Sequence, residues 1–214
     1  MIYYYPGCKY KRLSPLNNQK ITEYLLNRFK AEILGCCSKD HNFPTKKDTI
    51  VYQCPTCGLI LSESSKYDKL LSVYELIDSD ESFIFKDYNK ITYTIQDCIR
   101  TKDNEGYFKA VRSLLRKMNI NYLEIENNGE KADYCGPTLY RTPSPRYEYL
   151  APKTLYNNKM YVLKDEDTQK ELMLKHGAQY KTDEVICYCT GCLEGIKMSN
   201  HKAMHLLDLI AESL

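Results

Sequence analysis

The sequence predicts an α/β protein built as two Rossmann-like lobes, related by a pseudo-twofold, each with a mainly parallel sheet. Three observations predict it. Short runs rich in β-branched and aromatic residues alternate with helical stripes, the pattern of βαβ units. A set of landmarks appears twice in the same order, as a duplicated unit does. The chain of 214 residues, 43% hydrophobic and 27% charged, is long enough for one large domain or two small ones.

The elements follow in chain order. `MIYYY` at the start is a strand, followed by Cys8 and a helical stretch that runs to `GCC` at 35–37. `TIVYQ` is the next strand, closed by the C-x-x-C of Cys54 and Cys57, and an amphipathic tail `LLSVYELID` completes the first lobe. The second lobe opens with the strand `ITYTI` and Cys98. `YFKAVRSLLRKM` places Phe108, Val111, Leu115 and Met118 on one helical stripe. `NYLEI` is a strand, `DYCG` carries Cys135, and `EVICY` is a strand leading to the C-x-x-C of Cys189 and Cys192. The tail `HKAMHLLDLIAESL` reads as a helix, with Met204, Leu207 and Ile210–Ala211 on one side. Leu70 follows Cys57 by 13 residues and Leu206 follows Cys192 by 14, so even the tails keep step. The lobes are placed at 1–80 and 81–214, joined near `DSDESFIFKDYNK` at 78–90.

A net charge of +2 with a pI near 7.9 gives no bias toward nucleic acid or anionic membranes. The 20 tyrosines, in a chain without Trp, read as partly buried packing residues. `MIYYYPGC` has neither a charged n-region nor an apolar h-region, and no apolar run approaches the ~20 residues that span a bilayer. The expected location is therefore cytoplasmic, where thiols stay reduced. Ten cysteines in that setting point to metal or redox chemistry and away from a disulfide framework.

In an open parallel sheet, sites lie beyond the carboxyl ends of the strands. Cys8, Cys54, Cys98 and Cys189 each follow a predicted strand, so the cysteines should converge at one edge of each lobe. The first lobe offers Cys8, Cys36, Cys37, Cys54 and Cys57; the second offers Cys98, Cys135, Cys189 and Cys192, with Cys187 close by. Zinc takes four ligands, and an iron–sulfur cluster is usually held by four thiolates, so five with an adjacent pair call for an enlarged or opened cluster. Plainer readings stand beside this one. A lone C-x-x-C is also a thioredoxin-type dithiol, four cysteines also make a structural zinc site, and Cys187 also reads as a buried free thiol. His41 and His205 are candidate ligands or proton donors, and Arg100 and Arg146 are candidates to hold an anionic substrate or to form surface ion pairs. No Gly-rich phosphate loop follows a strand, so neither nucleotide nor flavin is expected and electrons must come from a partner protein.

The ordered set `YYYPGC`–`GCC`–`CPTC`, then `QDC`–`YCG`–`CTGC`, resembles the tandem cysteine-rich CCG domain of heterodisulfide reductase. That domain also occurs in glycolate and lactate oxidation iron–sulfur proteins and in many anaerobe proteins. The resemblance spans essentially the whole chain. It implies that Cys8, Cys36, Cys37, Cys54 and Cys57 hold a non-cubane [4Fe–4S] cluster at which a disulfide is reduced one electron at a time. It also implies an electron-donating ferredoxin-like or flavin-containing subunit and a small disulfide substrate. The second lobe departs from the pattern, because Tyr134-Cys135 stands where the family has a cysteine pair. Ser38 replaces the usual Gly after Cys37, and Gln96-Asp97-Cys98 lacks the usual Pro. Cys98, Cys135, Cys189 and Cys192 then leave room for an ordinary [4Fe–4S] cluster or a zinc ion. The leading expectation is an iron–sulfur redox protein of the heterodisulfide reductase type; its competitor is a zinc-stabilised structural or regulatory module without redox activity.

Overall fold

A computed structural model describes residues 1–157 and 159–214. In chain order the elements are β1 (Ile2–Tyr5), α1 (Cys8–Leu13), α2 (Pro15–Phe29), β2 (Glu32–Ile33), β3 (Thr49–Tyr52), α3 (Pro55–Ser64), β4 (Lys69–Ser72) and α4 (Val73–Asp78). They continue with β5 (Thr92–Gln96), α5 (Glu105–Lys117), β6 (Asn121–Glu124), α6 (Tyr147–Leu150), α7 (Glu166–Gly177), β7 (Glu184–Cys187), α8 (Thr190–Met198), β8 (Lys202–His205) and α9 (Leu206–Ala211). Short 3-10 turns cover Ile99–Thr101, Gly129–Lys131 and Gly136–Tyr140, and a π-helical turn covers Pro152–Tyr156. No helix among the described residues is long and apolar enough to cross a membrane.

The chain folds as an α/β protein with two separate four-stranded parallel sheets, ordered β2-β1-β3-β4 and β6-β5-β7-β8. The two orders are the same order. In each sheet the chain leaves its first strand toward one edge and its third strand toward the other. The crevice beyond the ends of β1 and β3, or of β5 and β7, is thus where such a sheet can admit a ligand. Registers agree as well: Tyr5 pairs with Tyr52 and Tyr52 with Ser72, while Gln96 pairs with Cys187 and Cys187 with His205.

Two compact units result: Met1–Phe83 with Pro143–Lys159 and Leu214, and Ile84–Thr142 with Met160–Ser213. The expected division at 80/81 differs from this in one large respect, since Pro143–Lys159 belongs to the first unit. Its anchor is Glu63 on α3, whose carboxylate accepts from the Thr154 hydroxyl and from the backbone N–H of Lys153 (3.0 Å) and Thr154 (2.8 Å). No pattern of hydrophobic residues could announce a carboxylate 91 positions away.

Both sheet cores are tyrosine-rich. Tyr4, Tyr5, Tyr10 and Tyr74 in the first unit and Tyr107 and Tyr188 in the second are fully buried. Such rings bring large apolar area, provided the hydroxyl finds a partner. Tyr4 donates to Gln53 Oε1 at 2.8 Å and Tyr5 to the Asp40 carbonyl at 2.9 Å. In the α5 stripe Val111, Leu115 and Met118 are buried as expected, while Phe108 is half-buried.

The C-terminal tail differs from the expected single helix. Residues Lys202–His205 form β8, and α9 begins only after His205. The first unit does the same, with β4 ending at Ser72 and α4 following. The cause is local capping. Ser72 Oγ accepts from Glu75 N–H while the Glu75 carboxylate accepts from Ser72 N–H, a reciprocal cap. At the corresponding position His205 Nδ1 accepts from Leu207 N–H at 3.3 Å.

A cap made by imidazole has a consequence for acid stability. His205, 2% exposed, must be neutral to accept that bond, and burial holds its pKa down to about 4. His176 is likewise held to about 4 by burial; its Nε2 donates to Gln96 Oε1 at 2.7 Å and its ring stacks on Tyr134. Both folded values lie below the unfolded one, so their contribution is complete above about pH 6.5 and is lost as pH falls toward 4. Each contributes up to ~3 kcal/mol by that linkage. Denaturant midpoints measured between pH 7 and pH 4.5 should fall steeply, and His205→Ser, which copies Ser72, should flatten the slope. A pH-independent midpoint rejects this account.

Candidate metal centre

The second unit brings four thiols together. Cys98, Cys135, Cys189 and Cys192 have their Sγ atoms all within 4.8 Å of one another, and all four are buried. Cys98 and Cys135 sulfurs stand 3.5 Å apart, and those of Cys135 and Cys189 3.7 Å.

Local structure fixes each sulfur. Cys98 directly follows Asp97 at the end of β5, and Ile99 N–H donates to the Tyr134 carbonyl at 2.9 Å, tying the Cys98 and Cys135 loops together. Cys189 is the N-cap of α8 and Cys192 sits in its first turn. A C-x-x-C at a helix start puts both sulfurs on one side, near N–H groups that favour negative charge. Gly136, at φ +59°, lies against the Gly191 carbonyl so closely that any Cβ would collide with it. Positive φ and that close approach both require glycine there. Through it the Cys135 loop meets the C-x-x-C turn.

Behind the sulfurs lies a polar lattice that motif spacing does not foresee. Asp97, 0% exposed, accepts from Arg112 Nη1 at 2.7 Å, from Gly129 N–H at 2.7 Å and from the Tyr188 hydroxyl at 2.8 Å. Arg112 also binds Glu124 through Nε at 3.0 Å and Nη2 at 2.8 Å. Tyr188 Oη accepts from Cys98 N–H at 3.1 Å, so the lattice reaches the cysteine loop itself. `QDC` and `CYC` hold the signal, because each places a polar side chain next to a cysteine.

Four thiols this close are in electrostatic conflict. Burial pushes Cys98 and Cys192 up, whereas Cys135 is held well below the usual thiol value, first by hydrogen bonding from Cys189. A cation between the sulfurs resolves the conflict by letting all four ionise. The donor set fits a soft or borderline metal. With metal–sulfur bonds of ~2.3 Å, the thiolates of a tetrahedral ion stand ~3.8 Å apart.

Cys187 stays outside this group. It is fully buried, its pKa is raised well above normal by burial, and its thiol points to the Cys189 carbonyl at 3.7 Å. His205 is a helix cap, as described, and not part of the group. Tyr134, where the resemblance has a cysteine, turns its hydroxyl to Met173 Sδ at 3.3 Å and stacks on His176.

The first unit is built on the same scheme but remains open. Cys54 is the N-cap of α3, Pro55 opens the helix and Cys57 lies in its first turn. Gly7, at φ +67°, places its Cα within reach of Cys54, where a Cβ would lie 3.3 Å from Cys54 Cβ. Asp40 Oδ2 accepts from Gly35 N–H at 2.9 Å and Cys36 N–H at 2.7 Å, shaping the adjacent-cysteine loop. Cys37 and Cys57 are hydrogen-bonded neighbours, and Cys54 joins Cys57. Cys37 is lowered, chiefly by Cys57, with the Arg146 guanidinium assisting. Cys8 is exposed and Cys36 half-buried. The five therefore do not form a compact group like that of the second unit among the described residues. His41 lies half-buried in the same loop, its carbonyl accepting from Ser65 Oγ at 2.7 Å. Arg146 faces Cys37 and Cys36 from the Pro143–Lys159 segment, its guanidinium 5.7 Å from the Tyr147 ring centre.

No family model matches this chain, and no curated protein matches it. Among solved structures it is similar to a hypothetical protein from Helicobacter pylori, with a TM-score of 0.52 and 7% identity. That match covers 99% of this chain and 48% of the other, so the chain spans about half that protein's length. A second likeness, to the aspartate racemase of Picrophilus torridus, has a TM-score of 0.31 and 14% identity over 100% of this chain and 93% of that one. What the first likeness adds, at its level of identity, is the α/β fold with parallel sheets.

Proposed function

We propose that the chain is a thiolate metalloprotein whose two units have divided their tasks. In the second unit, Cys98, Cys135, Cys189 and Cys192 hold one tetrahedral ion, zinc or a chemically similar dication, with no open position. In the first unit, Cys8, Cys36, Cys37, Cys54 and Cys57 hold the redox group implied by the resemblance to the CCG domain of heterodisulfide reductase, a non-cubane [4Fe–4S] cluster. The reaction served there is electron transfer to a disulfide or related acceptor.

The observation that carries the first half is the 4.8 Å limit on the four sulfurs. This spacing supports a single ion, whose four thiolates, on metal–sulfur bonds of ~2.3 Å, stand closer together than those around a larger multi-iron cluster. A closed four-thiolate site is the structural kind, since catalysis needs a vacant position. The redox half is supported by the all-thiol donor set and by the greater exposure of Cys8, Cys36 and Cys54, which lets an acceptor approach. A cluster bound there supplies one-electron transfer. The chain's own residues supply the rest: Asp40 holds the loop of Cys36 and Cys37, and Arg146 sets a positive charge beside both. Electrons come from a ferredoxin-like or flavin-containing partner, because the chain has no phosphate-binding loop of its own.

A second reading is favoured by the same closed site: a zinc-stabilised module without redox activity. Metal and acid-labile sulfide analysis of anaerobically prepared protein separates the two. The proposal expects about one zinc-like ion plus about four irons and four sulfides per chain, with broad visible absorption. Colourless protein holding only the single ion supports the module. Protein holding no metal sinks both.

A further inference from the structure

The buried four-thiol group raises a question of charge. Four thiolates and one dication sum to two negative charges, placed among four buried residues. Removing such a net charge from water is expensive unless an opposite charge stands close. The Asp97–Arg112–Glu124 lattice does not provide it, because the single guanidinium there is already engaged by two carboxylates. His205 is held neutral, and Asp208 beside it is acidic.

Arg100 brings a positive charge to the Cys98 side of the group. Arg100 lies in the 3-10 turn Ile99–Thr101, whose N-cap is Cys98 itself. Thr101 Oγ1 donates to the Cys98 carbonyl at 2.8 Å and pins the turn. Arg100 is only 8% exposed, and its Nη2 donates to Tyr161 Oη at 3.3 Å. Burial opposes its charge, while the thiols of Cys135 and Cys189, together with Tyr161 and Cys98, favour it and hold the guanidinium pKa well above its ordinary value. An arginine cannot give up its proton in such a place, so its charge is permanent.

We propose that Arg100 is the counter-charge of the four-thiol centre, a positioning residue that makes the site retain a dication as a complex of one net negative charge. This rests on the metal-binding reading given above. Arg100 touches the ion only through the field it imposes on Cys98, Cys135 and Cys189. Two consequences follow. Affinity for a dication depends on the positive charge at position 100 and not on the guanidinium shape alone. In protein carrying iron at this centre, the ferrous state bears one more negative charge than the ferric, so Arg100 favours the ferrous form and raises the reduction potential.

The test uses the full chain with Cys54→Ser and Cys57→Ser in every sample, so that cobalt reports the second unit, and compares Arg100→Met and Arg100→Lys with the parent carrying Arg100. Cobalt(II) binding, followed by its visible bands in competition with a chelator, reads affinity. Redox titration of the centre loaded with a single iron reads potential. Arg100→Met should weaken cobalt binding roughly tenfold to a hundredfold, the size of one screened charge at short range. It should also lower the potential, while Arg100→Lys keeps both near the parent. Parent-like affinity and potential in Arg100→Met overturn the proposal. So does an equal loss in both variants, which marks a packing role. If Arg100→Met does not fold, Arg100→Gln and Arg100→Lys are compared in its place under the same criteria. A parent chain that binds no cobalt at all refutes the metal reading itself, a result distinct from each of these.

Discussion

Cys135→Ser is expected to abolish tight metal binding in the second unit and to destabilise it by several kcal/mol. Cys135 is 0% exposed and is the sulfur to which Cys98 and Cys189 both turn. Binding free energy at a structural thiolate site acts as folding free energy, with ~10 kcal/mol or more available for a zinc ion at neutral pH. Only part of that appears as lost stability, because the α/β core remains to hold the unit in the ion's absence. The measurement is denaturant unfolding with and without a strong chelator. The parent should fall toward the variant when chelator is added, and the variant should not respond. A parent insensitive to chelator, with Cys135→Ser equally stable, contradicts a metal at these four sulfurs.

Arg112→Met should cost about as much as removing one partner of a buried ion pair usually does, ~3–5 kcal/mol. Asp97 would keep its bonds from Gly129 N–H and Tyr188 Oη but lose those from Arg112 Nη1 to Oδ1 and Nη2 to Oδ2, leaving an uncompensated carboxylate with no exposed surface. The paired variant Asp97→Asn, Arg112→Met should recover a large share of the loss, since the orphaned charge goes with its partner. A double-mutant cycle by urea denaturation checks this. Additive losses contradict the assigned coupling. Because Tyr188 Oη also receives Cys98 N–H, Arg112→Met should in addition weaken metal retention, although Arg112 touches no sulfur.

The parallel sheets and the duplicated order of elements are legible in the chain because each depends on short-range pattern. `TIVYQ` and `EVICY` are strand-like by composition, and the C-x-x-C after each is a helix start whichever fold surrounds it. β2, β4 and β8 are not legible. Two residues, Glu32 and Ile33, carry too little pattern, and `KAMH` and `KLLS` become strands by pairing with a finished neighbour. The tail reads as one helix because apolar spacing runs through His205, whose capping role depends on its Nδ1 reaching Leu207 N–H. Cys98, Cys135, Cys189 and Cys192 can be grouped from sequence because each follows a recognisable strand or turn. The links behind them cannot: Asp97 and Arg112 are 15 residues apart on different elements, and only tertiary packing joins them. From the sequence Arg100 reads as a holder of an anionic substrate or a surface ion pair, and its burial, to 8% exposure, is what spacing does not foresee.

The segment Pro143–Lys159 bears on how the chain can be divided. It departs from the chain between the Cys135 turn and α7, inside one copy of the duplicated plan, yet it is anchored by Glu63 of the other copy and brings Arg146 to Cys36 and Cys37. Residues 1–83 taken alone lack both Arg146 and the backbone N–H groups that Glu63 holds. A cut at the expected boundary would therefore leave the thiols of Cys36 and Cys37 without the guanidinium that stands beside them in the whole chain.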